Sequence, residues 1–234
     1  MKTTIVMCSV LLMALTGLHA LSIYDIQYTS SRGVDNSYPS PYLGKEVTVE
    51  GIVTASTSSG FYLSETVSGA WRGIFVSSST QRPATGNLVR VSGEVGELFG
   101  MTCIQNLASL KVLDRNRSVP APIYVSTGQL TNPLEAEAYE CVRVRVINAS
   151  AANNKIKNDR FMVNDGSGLC SVNLKNYSAG RITTVPSQFS QLTGIVVFGY
   201  GEYSLNPTTP SDMQAQQPVS TQNRSWGKIK SIYK

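Results

Sequence analysis

Histidine is nearly missing from this sequence: the single one, His19, falls within the first twenty residues. Those residues begin with Lys2, run through an apolar stretch at 5–18 and reach the small residue Ala20, the layout of a secretory signal peptide cut after Ala20. A mature chain starting at Leu21 has no imidazole. That excludes Ser-His-Asp and Cys-His nucleophiles, histidine general bases and every histidine-containing zinc site. Beyond the leader no segment approaches the roughly 20 apolar residues that a helix needs to cross a bilayer. Cysteine is scarce as well. Cys103, Cys141 and Cys170 remain without any CxxC spacing, so no thiolate metal site is expected. An oxidising space would allow one disulfide and leave one thiol, and three small buried residues at strand positions fit the sequence equally well.

Charge is also sparse, at 15% of residues against 41% hydrophobic, which suits packed cores and excludes wholesale disorder. The net charge of +5 looks like a nucleic-acid signal until it is located. Lys2 and the tail residues Arg224, Lys228, Lys230 and Lys234 set aside, fifteen basic residues face fifteen acidic ones, so the body is neutral.

Period-2 alternation of Val, Ile, Thr, Tyr and Phe, broken by Gly, Asn, Ser and Pro about every ten residues, predicts an all-β fold. Strands are expected at 46–55, 60–64, 73–77, 88–97 and 102–112, and the order then repeats at 140–149, 160–164, 169–174, 191–198 and from 202. No window shows a helical apolar face of similar quality. A repeat of about 95 residues means one small domain per copy. Five strands each, with Gly51 marking a bend in the first long strand, predict two tandem five-stranded OB-type Greek-key barrels after the signal peptide. The expected division is 1–20 signal peptide, 21–117 first barrel, 118–212 a more divergent second barrel and 213–234 polar spacer and basic tail. The stretch 116–133, with Pro120, Pro122 and Pro133, is the expected linker.

Particular strings add a resemblance. Ile23-Tyr24-Asp25-Ile26-Gln27, then Ser40-Pro41-Tyr42-Leu43-Gly44-Lys45-Glu46-Val47 running on to Gly51-Ile52-Val53-Thr54, then Gly60-Phe61-Tyr62-Leu63, Gly73-Ile74-Phe75-Val76 and Gly86-Asn87-Leu88-Val89 resemble an OB-fold module. That module precedes the catalytic domain in large secreted bacterial endonucleases and exonucleases. The likeness runs from Ile23 to about Asp114. The second copy is a more divergent match, carried by Phe161-Met162-Val163-Asn164-Asp165-Gly166 and Gly201-Glu202-Tyr203-Ser204-Leu205-Asn206-Pro207. The tail around Trp226-Gly227-Lys228-Ile229-Lys230 is similar to short endings of exported proteins; sorting signal and solvated basic terminus are both open readings.

The resemblance implies a nucleic-acid-binding accessory rather than a hydrolase, with no cofactor and no metal. A secreted, periplasmic or cell-surface protein is expected, binding single-stranded nucleic acid; a surface protein or glycan is the alternative partner. OB barrels hold single strands across strands 2 and 3 and the flanking loops, with cations on phosphates and aromatics on bases. In the second copy Arg143, Arg145, Lys155, Lys157, Arg160, Lys175 and Arg181 face only Asp159 and Asp165 between 141 and 181, with Phe161 and Tyr177 interleaved. In the first copy the equivalent region offers Tyr62, Trp71, Arg72 and Phe75. Phe75 and Phe161 suit core packing equally well. Asn164-Asp165-Gly166-Ser167-Gly168 has the flavour of a calcium loop, but a β-turn explains it better.

Overall fold

The computed structural model describes residues 21–217; the expected signal peptide, most of the spacer and the basic tail lie outside them. In β1 (Glu46–Ser56) Val47 and Val49 turn inward while Glu46 stays exposed, the half-buried alternation that favours a strand. Gly51 lies where a Cβ would stand 2.9 Å from the Ser64 carbonyl, and the register slips two residues on, between Val53 and Ala55. With β2 (Gly60–Ser64), β3 (Gly73–Ser77), β4 (Leu88–Leu98) and β5 (Met101–Asp114), β1 closes a barrel in the order β1-β2-β3-β5-β4. Its β3–β5 pair is parallel.

A second ring follows. It is made of β7 (Arg143–Ala151), β8 (Arg160–Asn164), β9 (Leu169–Asn173), β10 (Gln188–Gly199) and β11 (Glu202–Asn206). The order is β7-β8-β9-β11-β10, closed by β10–β7, and β9–β11 is again the parallel pair. The chain is thus all-β with two successive five-stranded barrels of one strand order. Two short strands, β6 (Ile123–Tyr124) beside β7 and β12 (Met213–Ala215) beside β10, widen the second sheet.

Each copy also carries a plug that periodicity could not reveal, because its helices are only four or five residues long. In the first copy α1 (Ile23–Gln27), capped by Ser22, buries Ile23 and Ile26 against Val49, Phe61, Leu63 and Ile74. In the second, α2 (Thr127–Thr131) starts at a Ser126–Gln129 capping box and buries Leu130; α3 (Pro133–Ala136) follows, with Pro133 at its first position. The residue just after the second strand anchors each plug. Glu65 accepts the Tyr24 N–H at 3.0 Å, and Asp165 accepts the Thr127 N–H at 3.0 Å.

The expected linker at 116–133 is therefore corrected. From Ile123 onward it belongs to the second barrel: Ser126 and Asn132 are helix caps, and Pro133 starts a helix rather than breaking a ladder. The strand expected from 140 begins at Arg143, because Glu140 and Cys141 turn into the boundary between the barrels, Cys141 with φ 59°. At that boundary Gly73 permits a close approach: a Cβ there would lie 2.3 Å from the Cys141 carbonyl oxygen. The Trp71 N–H donates to the Ala138 carbonyl at 2.6 Å. Among the described residues Cys103, Cys141 and Cys170 are buried free thiols, the packing alternative of the sequence reading, and burial pushes Cys103 and Cys170 up to about 12.

Candidate nucleic-acid interface

Register makes the two barrels comparable residue by residue. Tyr62 pairs with Phe75 across β2–β3, and Met162 pairs with Ser171 across β8–β9. On the neighbouring parallel strand Phe75 pairs with Cys103, and Ser171 with Ser204. These side chains point out of their barrels, whereas Phe61, Leu63, Ile74 and Val76 fill the first interior.

On the first barrel this outward face is covered. Tyr62 and Phe75 are only 5% and 2% exposed, with ring centroids 4.9 Å apart, and they join Met101 and Cys103 in the apolar cluster that continues into the second barrel through Cys141, Val142, Phe198 and Tyr203. Neither ring can offer its face to a base, so both are corrected from candidate ligand contacts to interdomain packing. Phe161 is corrected likewise: its side chain faces the second core, 6.0 Å from the Phe189 ring.

On the second barrel the same face is open. A cavity of about 940 Å³ lies over β8 and β9, with apolar walls from Ile156, Met162, Leu169 and Leu130 and a rim that includes Lys155, Lys157 and Arg160. Local chain geometry places two of these cations side by side. Lys157 and Arg160 exchange backbone hydrogen bonds of 2.9 and 3.0 Å around Asn158 and Asp159, both at positive φ, which is the two-residue turn that Asn and Asp tolerate best. Arg160 lies 3.7 Å from Glu202 in an exposed pair of the kind that contributes little. Lys155 and Lys157 have no salt-bridge partner among the described residues.

The other candidates lie elsewhere. Arg143 is committed to the buried Asp212 carboxylate at 2.9 Å. Arg145 donates to Thr193 and lies over the Tyr124 ring. Lys175 is exposed on the loop after β9, and Tyr177 on that loop packs partly against the second core. Trp71 and Arg72 form a separate cluster with Tyr28 and Tyr24, with Arg72 paired to Glu65. The Asp165 loop is a helix anchor. Burial would raise that carboxyl, but hydroxyl and N–H donors of Ser167 and Thr127 overcome it and hold it at about 2. Among the described residues no group of three His, Cys, Asp or Glu side chains is placed to hold a metal ion.

Sequence reasoning missed two aromatics. Phe99-Gly100 turns β4 into β5 and Tyr200-Gly201 turns β10 into β11, all four residues at positive φ, from 55° to 84°. A bulky ring is an outlier there, since such turns favour Asn-Gly. Yet both barrels place an aromatic at the same position, and the two rings stack on each other at 5.3 Å while 66% and 81% exposed. The repeated aromatic-Gly pair at the tip of each long hairpin was the signal available in the sequence. Beside this platform lies a second cavity of about 600 Å³, which shares Asn36 and Gly201 with the first. Cations and stacked rings therefore form one continuous surface.

No family model matches the chain, and no curated protein matches it. A solved structure described as "Structural mimicry for functional antagonism" aligns with 70% of this chain and 89% of its own at 12% identity and a TM-score of 0.31, a likeness too small to carry an argument.

Proposed function

We propose that this chain is an exported, non-catalytic binding protein of OB type whose ligand is single-stranded nucleic acid. The observation that carries the reading is the joining of the Lys155–Lys157–Arg160 rim to the Phe99–Tyr200 platform through shared cavity walls. Cations that follow phosphates beside exposed rings that stack on bases are the two elements of sequence-tolerant single-strand binding. The open face over β8 and β9, with the 153–157 loop on one side and the β10–β11 turn on the other, is where OB barrels engage oligonucleotides. The resemblance to modules of secreted nucleases agrees in ligand class.

The test is a fluorescence-anisotropy titration of the protein against labelled single-stranded DNA, RNA and a glycan panel at stepped salt. Binding of a single strand should weaken as salt rises, with a log–log slope to which three phosphate contacts contribute about 2. Replacing Lys155, Lys157 and Arg160 together with Ala should remove most of that slope while the circular dichroism spectrum stays unchanged. Salt-indifferent binding of a glycan, with none of a single strand, would reassign the surface to sugars, whose rings also stack on aromatic platforms.

A further inference from the structure

Where the barrels meet lies a group of acids without a base. Glu97 comes from β4, and Glu137 and Glu140 come from the turn that precedes β7; the latter two are almost wholly buried. Glu140 Oε1 accepts the Thr102 N–H at 2.9 Å, Glu97 Oε1 accepts the Thr102 hydroxyl at 2.9 Å and the Ser40 N–H at 3.1 Å, and the Tyr203 hydroxyl donates to Glu137. The second oxygens of Glu97 and Glu140, together with Gln27 Oε1, are the buried side-chain polar atoms without a partner among the described residues. The titratable groups that face the cluster are Tyr38 from the loop before β1, Tyr62 from β2, Cys103 from β5, Cys141 from the turn before β7, and Tyr203 from β11. None of them carries positive charge.

Carboxylates buried without a counter-charge are costly, and such groups take up protons instead. Burial, reinforced by Glu137 and Glu97, raises Glu140 well above the usual carboxyl range. Burial also lifts Glu137 to about 7 against the pull of the Tyr203 hydroxyl, and raises Glu97 against its two donors.

We propose that Glu97, Glu137 and Glu140 form a pH-dependent latch between the barrels: protonated, they let the two surfaces dock, and as they ionise the docking weakens. The docked state binds more protons than the separated one, so docking is strongest below the ordinary carboxyl value near 4.5 and is lost as pH rises from there through about 7. Glu137 alone would loosen docking roughly a hundredfold over that interval. Because Phe99 belongs to one barrel and Tyr200 to the other, the latch also assembles or disassembles the stacked platform. The docking claim stands whatever the ligand.

Hydrogen exchange on the full chain without ligand, from pH 5 to 8.5, tests it. The Trp71 and Thr102 amides donate across the boundary. Their protection factors should fall roughly a hundredfold between pH 5 and 8, while ladder amides such as those of Val91 and Val172 hold theirs. Glu137→Gln and Glu140→Gln should each flatten the profile. Boundary protection independent of pH in the native chain, a parallel loss at the ladder amides, or an unchanged profile in folded Gln variants would each overturn the latch; the native profile decides by itself if the variants fail to fold.

Discussion

The outward faces of β2–β3 and β8–β9 occupy the same place in two barrels of one topology, yet one is sealed and the other open. The difference lies in a few residues. The first face carries Tyr62, Phe75, Met101 and Cys103, a continuous apolar patch that only a partner surface can cover; the second carries Met162, Ser171 and Ser204, flanked by Lys157 and Arg160. Two barrels of one strand order use the same face differently: the first packs it against its neighbour, and the second leaves it open, where we propose that a ligand binds. The hairpin tips escaped this split, since both retain an exposed ring.

That contrast can be broken most forcefully at Phe75. Phe75→Ala should cost about 3 to 5 kcal/mol by loss of burial and creation of a cavity, whereas Ser171→Ala at the matching position should stay within about 0.5 kcal/mol. Urea midpoints for the two variants check this, and equal costs would mean that the first face is not the seal.

A second test acts on the hairpin tips. Tyr200→Asn relieves a bulky residue at positive φ, so stability should hold or rise by up to about 1 kcal/mol. Binding of a single strand should meanwhile weaken by about 1 to 3 kcal/mol through the lost stack. Paired thermal melts and anisotropy titrations separate the two effects.

The smallest effect concerns the plug anchors. Asp165→Ala removes the acceptor at the start of α2 and should cost about 1 kcal/mol, the scale of a lost cap. The native carboxyl is depressed to about 2 from an ordinary 3.8. Its contribution is therefore complete above about pH 4 and lost as pH falls toward 2. Acid titration of the variant, followed by fluorescence, should lack that part of the native acid-side loss.

Strand positions were legible because a barrel with one face inward imposes period-2 alternation, as in β8, while β2 and β3, buried on both faces, stand out as short apolar runs that start at a glycine and end at a serine. The plugs α1, α2 and α3 were not legible, because five residues span little more than one helical turn and leave no period to read. Among the candidate contacts, Lys155, Lys157 and Arg160 come together on one rim, since the tight turn at Asn158-Asp159 is written locally in the chain. Arg143 and Arg145 do not join them. They sit on β7, and alternation says only that such residues point outward, not toward which neighbour.

What the sequence by itself determined is the all-β class, the duplication and the strand order's raw material, all products of local alternation and turn chemistry. Which aromatics are available to a ligand was decided only when the barrels docked. For Tyr62 and Phe75 the sequence leaves ligand contact and packing both open, and the choice fell to packing through residues some 65 to 140 positions away, because burial is a property of surfaces brought together and no single segment encodes its partner.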